Sequence, residues 1–347
     1  HSFPTRRSSD LPSLLEAAAQ SAAPDAAISR SISLLHAISR RSSYFALLEE
    51  QPAALARLID VMARSALLAE RLVAHPLLLD ELLDTRAAGA PPDPIELEGD
   101  LQRAIAQLPS GDTEAALVAL NELQESVSFR IALAHLTRRL PAGETARCLA
   151  VLAESVLRAA LALAQADMVA AHGNIHGAGM ALIGYGSLGG SELGFGSDLD
   201  LVFLHDADAS AVSDGARPLE ASRYFARLAQ KVIALLGTIT QAGSLYEVDM
   251  RLRPDGAKGL LVSTLSSFSE YQLDRAWTWE QQALVRARPV AGDAGVGLAF
   301  EEIRRRVFCR SRDVVVVAEE VSAMRLRMRA ELDRSTELRF DIKQGEG

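Results

Sequence analysis

Three aspartates carry the chemistry that this chain is built to do. Asp198 and Asp200 sit two residues apart in the run Ser-Asp-Leu-Asp-Leu, and Asp249 lies well downstream in Tyr-Glu-Val-Asp-Met-Arg-Leu-Arg. Side chains alternate along a strand, so Asp198 and Asp200 should share one face while Leu199 and Leu201 enter the core. Carboxylates so placed repel one another unless a cation lies between them. Their hard oxygens suit magnesium bound together with substrate phosphates. Just upstream, Gly189-Gly190-Ser191 closes a glycine-rich run that begins at Gly184. Glycine allows a sharp turn and brings backbone N–H groups close to a phosphate. The combination predicts metal-dependent nucleotidyl transfer. Asp198, Asp200 and Asp249 would hold two metal ions, one activating an attacking hydroxyl and one orienting a nucleoside triphosphate and its pyrophosphate leaving group. Gly189, Gly190 and Ser191 would contact phosphate oxygens. Arg251 and Arg253 would balance the triphosphate charge, unless one pairs with Glu247 or Asp255 instead.

Other chemistries fit less well. Gly184-Tyr-Gly186-Ser-Leu-Gly189 resembles a dinucleotide-binding fingerprint, but no acidic residue follows in the matching context. His172, His176 and His205 lack the paired spacing of a zinc site and read as surface or strand-end residues. Trp277 and Trp279 read as packing residues. The neighbouring Glu280 and the basic Arg286-Ala-Arg288 run leave a substrate-facing role open there. Cys148 reads as a small buried residue.

The elements that must position the aspartates follow from periodicity. From Pro12 to about Ala171, apolar residues recur at helical spacing: Leu34, Leu35 and Ile38, then Phe45 and Leu48, then Leu55, Leu58, Ile59 and Met62. Residues 87–94 form a proline-rich linker, and Pro94 suits the first turn of the next helix. At Gly173 the pattern changes. Met180 to Ile183 and Leu199 to Leu204 read as strands. Pro218 to Leu236 reads as an amphipathic helix with Phe225, Leu228, Val232 and Leu235 on one face. Leu245 to Leu252 alternates as a strand whose polar face carries Asp249. Leu260 to Val262 reads as a further strand, and 264–273 and 278–286 as short helices. Val314, Val317, Val321, Met324 and Met328 make an apolar stripe on a long C-terminal helix. The expected fold is α+β: a mixed sheet with helices, preceded and followed by all-α regions. The boundaries are a helical domain at 12–172, a domain carrying the aspartates at 173–300, and the start of a helical domain at 301–347.

Composition bounds the function classes. The 347 residues contain 49% hydrophobic and only 5% aromatic residues, as in a helix-rich protein. A net charge of −9 argues against nucleic acid held by a global positive field. Cys148 and Cys309 make no disulfide framework, which fits reduced thiols and a cytoplasmic setting. The apolar run 151–171 is interrupted by Glu154, Arg158, Gln165 and Asp167, so no membrane span is expected. Residues 1–11 lack an initiator Met, an apolar core and a cleavage site; they resemble translated adapter sequence and are set aside. The chain is read as a fragment.

Four stretches carry a resemblance to a known family: GYGSLGGSELGFGSDLDLVFLHD, YEVDMRLRPDGAKGLLV, AWTWEQQALVRARPVAGD and RFDIKQGEG. They resemble glutamine synthetase adenylyltransferase, densely from about Met180 onward. The helical segments RSSYFALLEEQPAALARLI and HPLLLDELLD are similar to the region between that family's two catalytic copies. The resemblance implies a nucleotidyltransferase fold and AMP transfer from ATP to a tyrosine of glutamine synthetase. It implies two magnesium ions on Asp198, Asp200 and Asp249, a phosphate turn at Gly189, Gly190 and Ser191, and regulation through a PII-type protein. YEVDMRLRPDG and AWTWEQQALVRAR look more like the C-terminal, adenylylating copy. The alternatives are the phosphorolytic, deadenylylating copy and a catalytically incomplete docking module. Ser187 stands where many members have lysine, so that lysine's phosphate contact does not carry over.

Overall fold

The computed structural model describes residues 10–39, 41–83, 93–109, 111–241 and 243–332. Expectations for the first nine residues, for the 87–92 part of the linker and for the run from 333 onward lie outside these. The described residues fall into two compact units. One comprises His1–Ala159, Ser191–Phe195 and Thr238–Leu245; the other comprises Ala160–Gly190, Gly196–Gly237 and Tyr246–Gly347.

Helical periodicity sets the beginning of the chain. In order come α1 (Asp10–Ala19), α2 (Pro24–Ala37), α3 (Ser42–Glu50), α4 (Pro52–Arg64), α5 (Ala66–Ala74), α6 (Leu78–Leu83), α7 (Pro94–Ile105), α8 (Thr113–Leu136) and α9 (Ala142–His172). Leu34, Leu58, Met62, Leu72, Leu79 and Phe129 share one core in the first unit. The helix starts follow local chemistry. Asp93 accepts from the amides of Ile95 and Glu96 at 2.9 and 3.3 Å, with Pro94 in the first turn of α7. Asp112 accepts from Ala115 at 3.0 Å and starts α8.

The membrane expectation needs one correction. Helix α9 is long and apolar enough to cross a membrane, because its charged residues are spread thinly along 31 residues. Most of its apolar window, 67%, is buried inside the protein, as in a core helix.

The second unit holds the sheet. It contains β1 (Met180–Gly184), α10 (Gly186–Gly189), β2 (Leu199–His205), α11 (Ala221–Gly237), β3 (Val248–Asp249), β4 (Val262–Thr264), α12 (Leu265–Glu270), α13 (Thr278–Ala283), β5 (Arg288–Gly292), α14 (Ala294–Phe308) and α15 (Val314–Leu332). The strand order is β3-β2-β1-β5, with β4 also on β2. Strand β1 is antiparallel to both β2 and β5, whereas β3 and β4 run parallel to β2. The sheet is therefore mixed, and the unit is α+β.

Both faces of β2 are covered. Val202 and Leu204 join a core with Phe268, Val296 and Phe300 from α12 and α14. On the opposite face His205 stacks on Phe225 of α11, centroids 4.6 Å apart. Asp200 is the one residue of β2 that is not fully buried.

Several elements differ from the sequence expectation. The strand expected at 245–252 shrinks to β3, because Asp249 Oδ1 captures the Arg251 amide at 2.8 Å and turns the chain. The strand expected at 260–262 lies at 262–264. Strand β5 was not expected: Pro289 breaks the strand pattern, yet β5 is a sheet edge with a bulge, where proline is tolerated. On α11, Leu236 rather than Leu235 joins Phe225, Leu228 and Val232 in the core. The stripe on α15 is only partly covered: Val317, Val321 and Met324 are half-buried, whereas Val314 is 79% and Met328 46% exposed. Trp277, expected to pack, is 69% exposed.

His205 offers a test of the packed face. Burial lowers its pKa from the ordinary 6.5, partly offset by Asp206, and Nδ1 accepts from the Ala207 amide at 3.2 Å. The unfolded ring therefore binds a proton more readily than the folded one. Stability contributed by neutral His205 should be complete above about pH 6.5 and decline as the pH falls below it. Urea unfolding at about pH 7.5 and 5.5 should show a smaller loss in His205→Phe than in the parent.

Candidate active site

The register between β2 and β3 builds the site. Leu199 pairs with Val248 and Asp200 with Asp249, in parallel. Residues that are neighbours across parallel strands project to the same face, so the two carboxylates stand side by side. Leu199 N–H donates to Glu247 O at 2.9 Å and secures the approach to β3. Asp198 precedes β2 and is exposed. Among the described residues no group of three His, Cys, Asp or Glu side chains is gathered closely enough to hold a metal ion. The structure thus brings Asp200 and Asp249 together and leaves Asp198 at the entrance to the strand.

Arg251 reaches back to this pair. Its Nε donates to Asp249 Oδ2 at 2.7 Å, and its Nη2 donates to the same oxygen. These bonds, with burial opposing them, hold the Asp249 carboxyl below its usual range. The Arg251 pKa is raised in turn, first by Asp249 and also by Asp198 and Asp200. One guanidinium therefore feels all three aspartates. In this structure the Arg251 guanidinium is engaged by the Asp249 carboxylate. Arg253 has a different job: it donates to the carbonyls of Met250 at 2.7 Å, Ala257 at 3.1 Å and Gly259 at 3.4 Å, pinning the loop after β3.

The glycine turn lies against the same strand. Tyr185 N–H donates to Asp200 O at 2.9 Å. Gly186 has φ +53°, and a Cβ there would lie 2.1 Å from Asp200 Oδ2. Only glycine lets the turn sit this close to the carboxylate. The amides of Gly189 and Gly190, expected to meet phosphate, are engaged within the turn, donating to Tyr185 O at 2.8 Å and Gly186 O at 3.1 Å. In this structure these glycines also admit Arg286 to the turn. A Cβ on Gly189 would lie 1.9 Å from Arg286 O and 2.5 Å from Gly184 O. A Cβ on Gly190 would lie 2.6 Å from Arg286 Nε and 2.7 Å from its Nη2. Ser191 follows with a left-handed φ of 54°.

Arg286 and Arg288 are the residues the sequence left unassigned. Arg288 Nε donates to Gly189 O at 3.1 Å and its Nη2 to Leu188 O at 3.2 Å. The basic pair was visible in the sequence. Its approach to the turn depends on β5, which sets Arg288 opposite Gly184 on β1. Glu280, by contrast, is structural: it accepts from the Tyr271 hydroxyl at 2.7 Å and the Trp277 amide at 2.9 Å. His176 pairs with Asp214 at 2.8 Å on the surface.

Adjacent carboxylates on a mixed sheet, with a glycine turn lying on one of them, make this an α+β unit of nucleotidyltransferase-like kind. Comparison with known proteins is more specific. The family model for glutamate-ammonia ligase adenylyltransferase matches residues 55–303, and the chain belongs to that family. Similar relatives bear the name bifunctional glutamine synthetase adenylyltransferase/adenylyl-removing enzyme. The one from Stenotrophomonas maltophilia strain K279a is 59% identical over 97% of this chain. Those from Xanthomonas axonopodis pv. citri and Pseudomonas putida are 60% and 43% identical over the same share. The chain spans 36% of the length of these relatives.

The two glycines separate a backbone contact from a side-chain contact. Gly189→Ala should lower the urea-unfolding free energy by about 1–3 kcal/mol, because carbonyl groups on two elements must shift. Gly190→Ala should stay within about 0.5 kcal/mol of the parent, because only the flexible end of Arg286 must move.

Proposed function

We propose that the chain carries the adenylyltransferase activity its relatives are named for, transferring AMP from ATP to a tyrosine of glutamine synthetase. The observation that carries this reading is the parallel pairing of Asp200 with Asp249 beside the Gly186 turn, in a chain of this family. On this reading the 173–300 region is the nucleotidyltransferase domain, flanked by helical regions at 12–172 and from 301 onward, in a cytoplasmic protein. A PII-type protein is the regulatory partner that the resemblance implies.

The donor chemistry fits magnesium: Asp200 and Asp249 offer adjoining hard oxygens, and Asp198, exposed at the entrance to β2, would have to close on that pair to add a third. When bound, two such ions supply Lewis-acid stabilisation of charge on the phosphates. The protein's own groups do the rest. Asp249, kept ionised by Arg251, acts as a ligand and a poor proton acceptor. Were Asp249 to hold a metal, Arg251 would give up part of its contact with that carboxylate and its charge would be left for the triphosphate. Arg253 keeps the 250–259 loop in place beneath it. Gly189 and Gly190 let Arg286 lie against the turn, and the Ser191 hydroxyl beside them is offered to phosphate oxygens. The tyrosine oxygen forms a bond to the α-phosphorus as the bond to the bridging oxygen breaks. The pyrophosphate departs with that electron pair, and the phenolic proton passes to solvent.

The relatives' names also describe adenylyl removal; the family resemblance implies that this is phosphorolysis, with orthophosphate as the attacking group and ADP as the product. Incubation with unmodified and adenylylated glutamine synthetase separates the two. Transfer of labelled AMP from ATP marks the first, and phosphate-dependent release of ADP marks the second.

Asp200→Asn should reduce magnesium-dependent AMP transfer by a factor on the order of a thousand, as expected for a lost metal ligand. Its thermal midpoint should not fall, because one of two adjoining like charges is gone. Unchanged transfer in a correctly folded variant would refute the assignment.

A further inference from the structure

The nucleotide reading leaves a gap that the turn itself defines. A triphosphate needs cationic or N–H donors along its whole length, and the amides of Gly189 and Gly190 are already engaged within the turn. The carboxylates lie at one end of that turn, where Gly186 touches Asp200. At the other end, about one helical turn away, the exposed Arg286 rests its guanidinium against Gly190. Two residues on, Arg288 at the start of β5 donates to the carbonyls of Leu188 and Gly189.

We propose that Arg286 is a substrate-binding residue of this site, holding the phosphates of the nucleotide that are not transferred. Arg288 is its positioning residue. This assignment rests on the nucleotidyl-transfer reading and deepens it.

Three features support the division of labour. Arginine presents a rigid planar fork that meets two phosphate oxygens at once, and it stays charged at any working pH. The Arg286 carbonyl lies against Gly189 while its guanidinium lies against Gly190, so backbone and side chain are both registered to the turn. Gly190 has an ordinary negative φ of −80°, so its backbone does not call for glycine. What a side chain there would displace is the Arg286 guanidinium.

In the reaction, the departing pyrophosphate gains negative charge as the bond to the α-phosphorus breaks. A fixed guanidinium at that end stabilises the leaving group and resists loss of the nucleotide before transfer. Arg251, on the carboxylate side, cannot do this without leaving Asp249. The two arginines therefore act at opposite ends of the same triphosphate.

The test uses the 347-residue chain with magnesium and three probes: ATP, pyrophosphate and AMP, titrated calorimetrically. Arg286→Gln should weaken ATP and pyrophosphate about tenfold or more, the loss expected for one charge-assisted contact. It should leave AMP, which lacks the distal phosphates, within about twofold. Arg286→Lys should fall between Gln and the parent. Gly190→Ala keeps the charge but displaces the fork, and should show the same selective loss with an unchanged melting temperature. If Arg286→Gln fails to fold, Arg286→Lys and Gly190→Ala decide the matter alone. Equal affinity of parent and variants for ATP would overturn the proposal. So would parallel weakening of ATP and AMP, which would mark Arg286 as merely structural. A parent chain that binds neither ATP nor pyrophosphate would refute the nucleotide reading itself, a result distinct from a parent that binds and variants that bind as well.

Discussion

Two carboxylates held side by side on parallel strands are a cost that the rest of this unit is arranged to offset. Strands in a sheet run about 4.8 Å apart, so a pair of ionised side chains at that spacing repels by on the order of 3 kcal/mol at an effective dielectric constant of about 20. Arg251 offsets that repulsion through its contacts with Asp249 and its attraction to Asp200 and Asp198. The Asp249 carboxylate also ends its own strand by taking the Arg251 amide. The short length of β3 and the placement of the arginine thus have a single cause. Because β3 occupies only the start of β2, β4 can pair farther along the same edge at Phe203 to His205. Charge management at one position sets the topology of that side of the sheet.

A second constraint is steric. The turn from Gly184 to Gly190 is enclosed by β2 on one side and by the approach to β5 on the other. Gly186 admits Asp200, Gly189 admits the Arg286 carbonyl, and Gly190 admits the Arg286 guanidinium. Each glycine is explained by what lies against it. A glycine-rich run usually suggests amides presented to phosphate. Here the amides close the turn, and the space goes to an arginine and an aspartate. The turn consequently has a carboxylate end, where Gly186 meets Asp200, and a cationic end, where Gly190 meets Arg286.

Much of this could be read before folding was considered. The helices of the first part of the chain follow directly from apolar spacing and from Asp93, Pro94 and Asp112 at their starts. Strands β1 and β2 are apolar runs of the right length, and Asp198 and Asp200 stand out because charge interrupts such a run. Other elements were hidden for identifiable reasons. Residues 245–252 alternate as a full strand, but a local side-chain bond to Arg251 competes with the ladder after Asp249. Strand β5 contains Pro289, which argues for a strand only when the position is known to be an edge. The stripe on α15 has helical spacing, but spacing cannot say whether a partner covers it; here every described side chain of that helix is at least partly exposed.

By itself, then, the sequence determined which residue types are available for chemistry. Aspartates two apart on an apolar strand, a glycine run before them and a further aspartate on a later segment are local facts of residue type and spacing. Family membership follows from the same local patterns. What only the tertiary structure decided is which of these groups meet. The parallel register placed Asp249 opposite Asp200 and left Asp198 at the strand's entrance. It assigned Arg251 to the carboxylates and Arg253 to a loop, and it carried Arg286 to the far end of the glycine turn. Pairing between distant segments depends on strand order and register. Those are set by the burial of both faces of β2, a property of the whole core that no short window of residues contains.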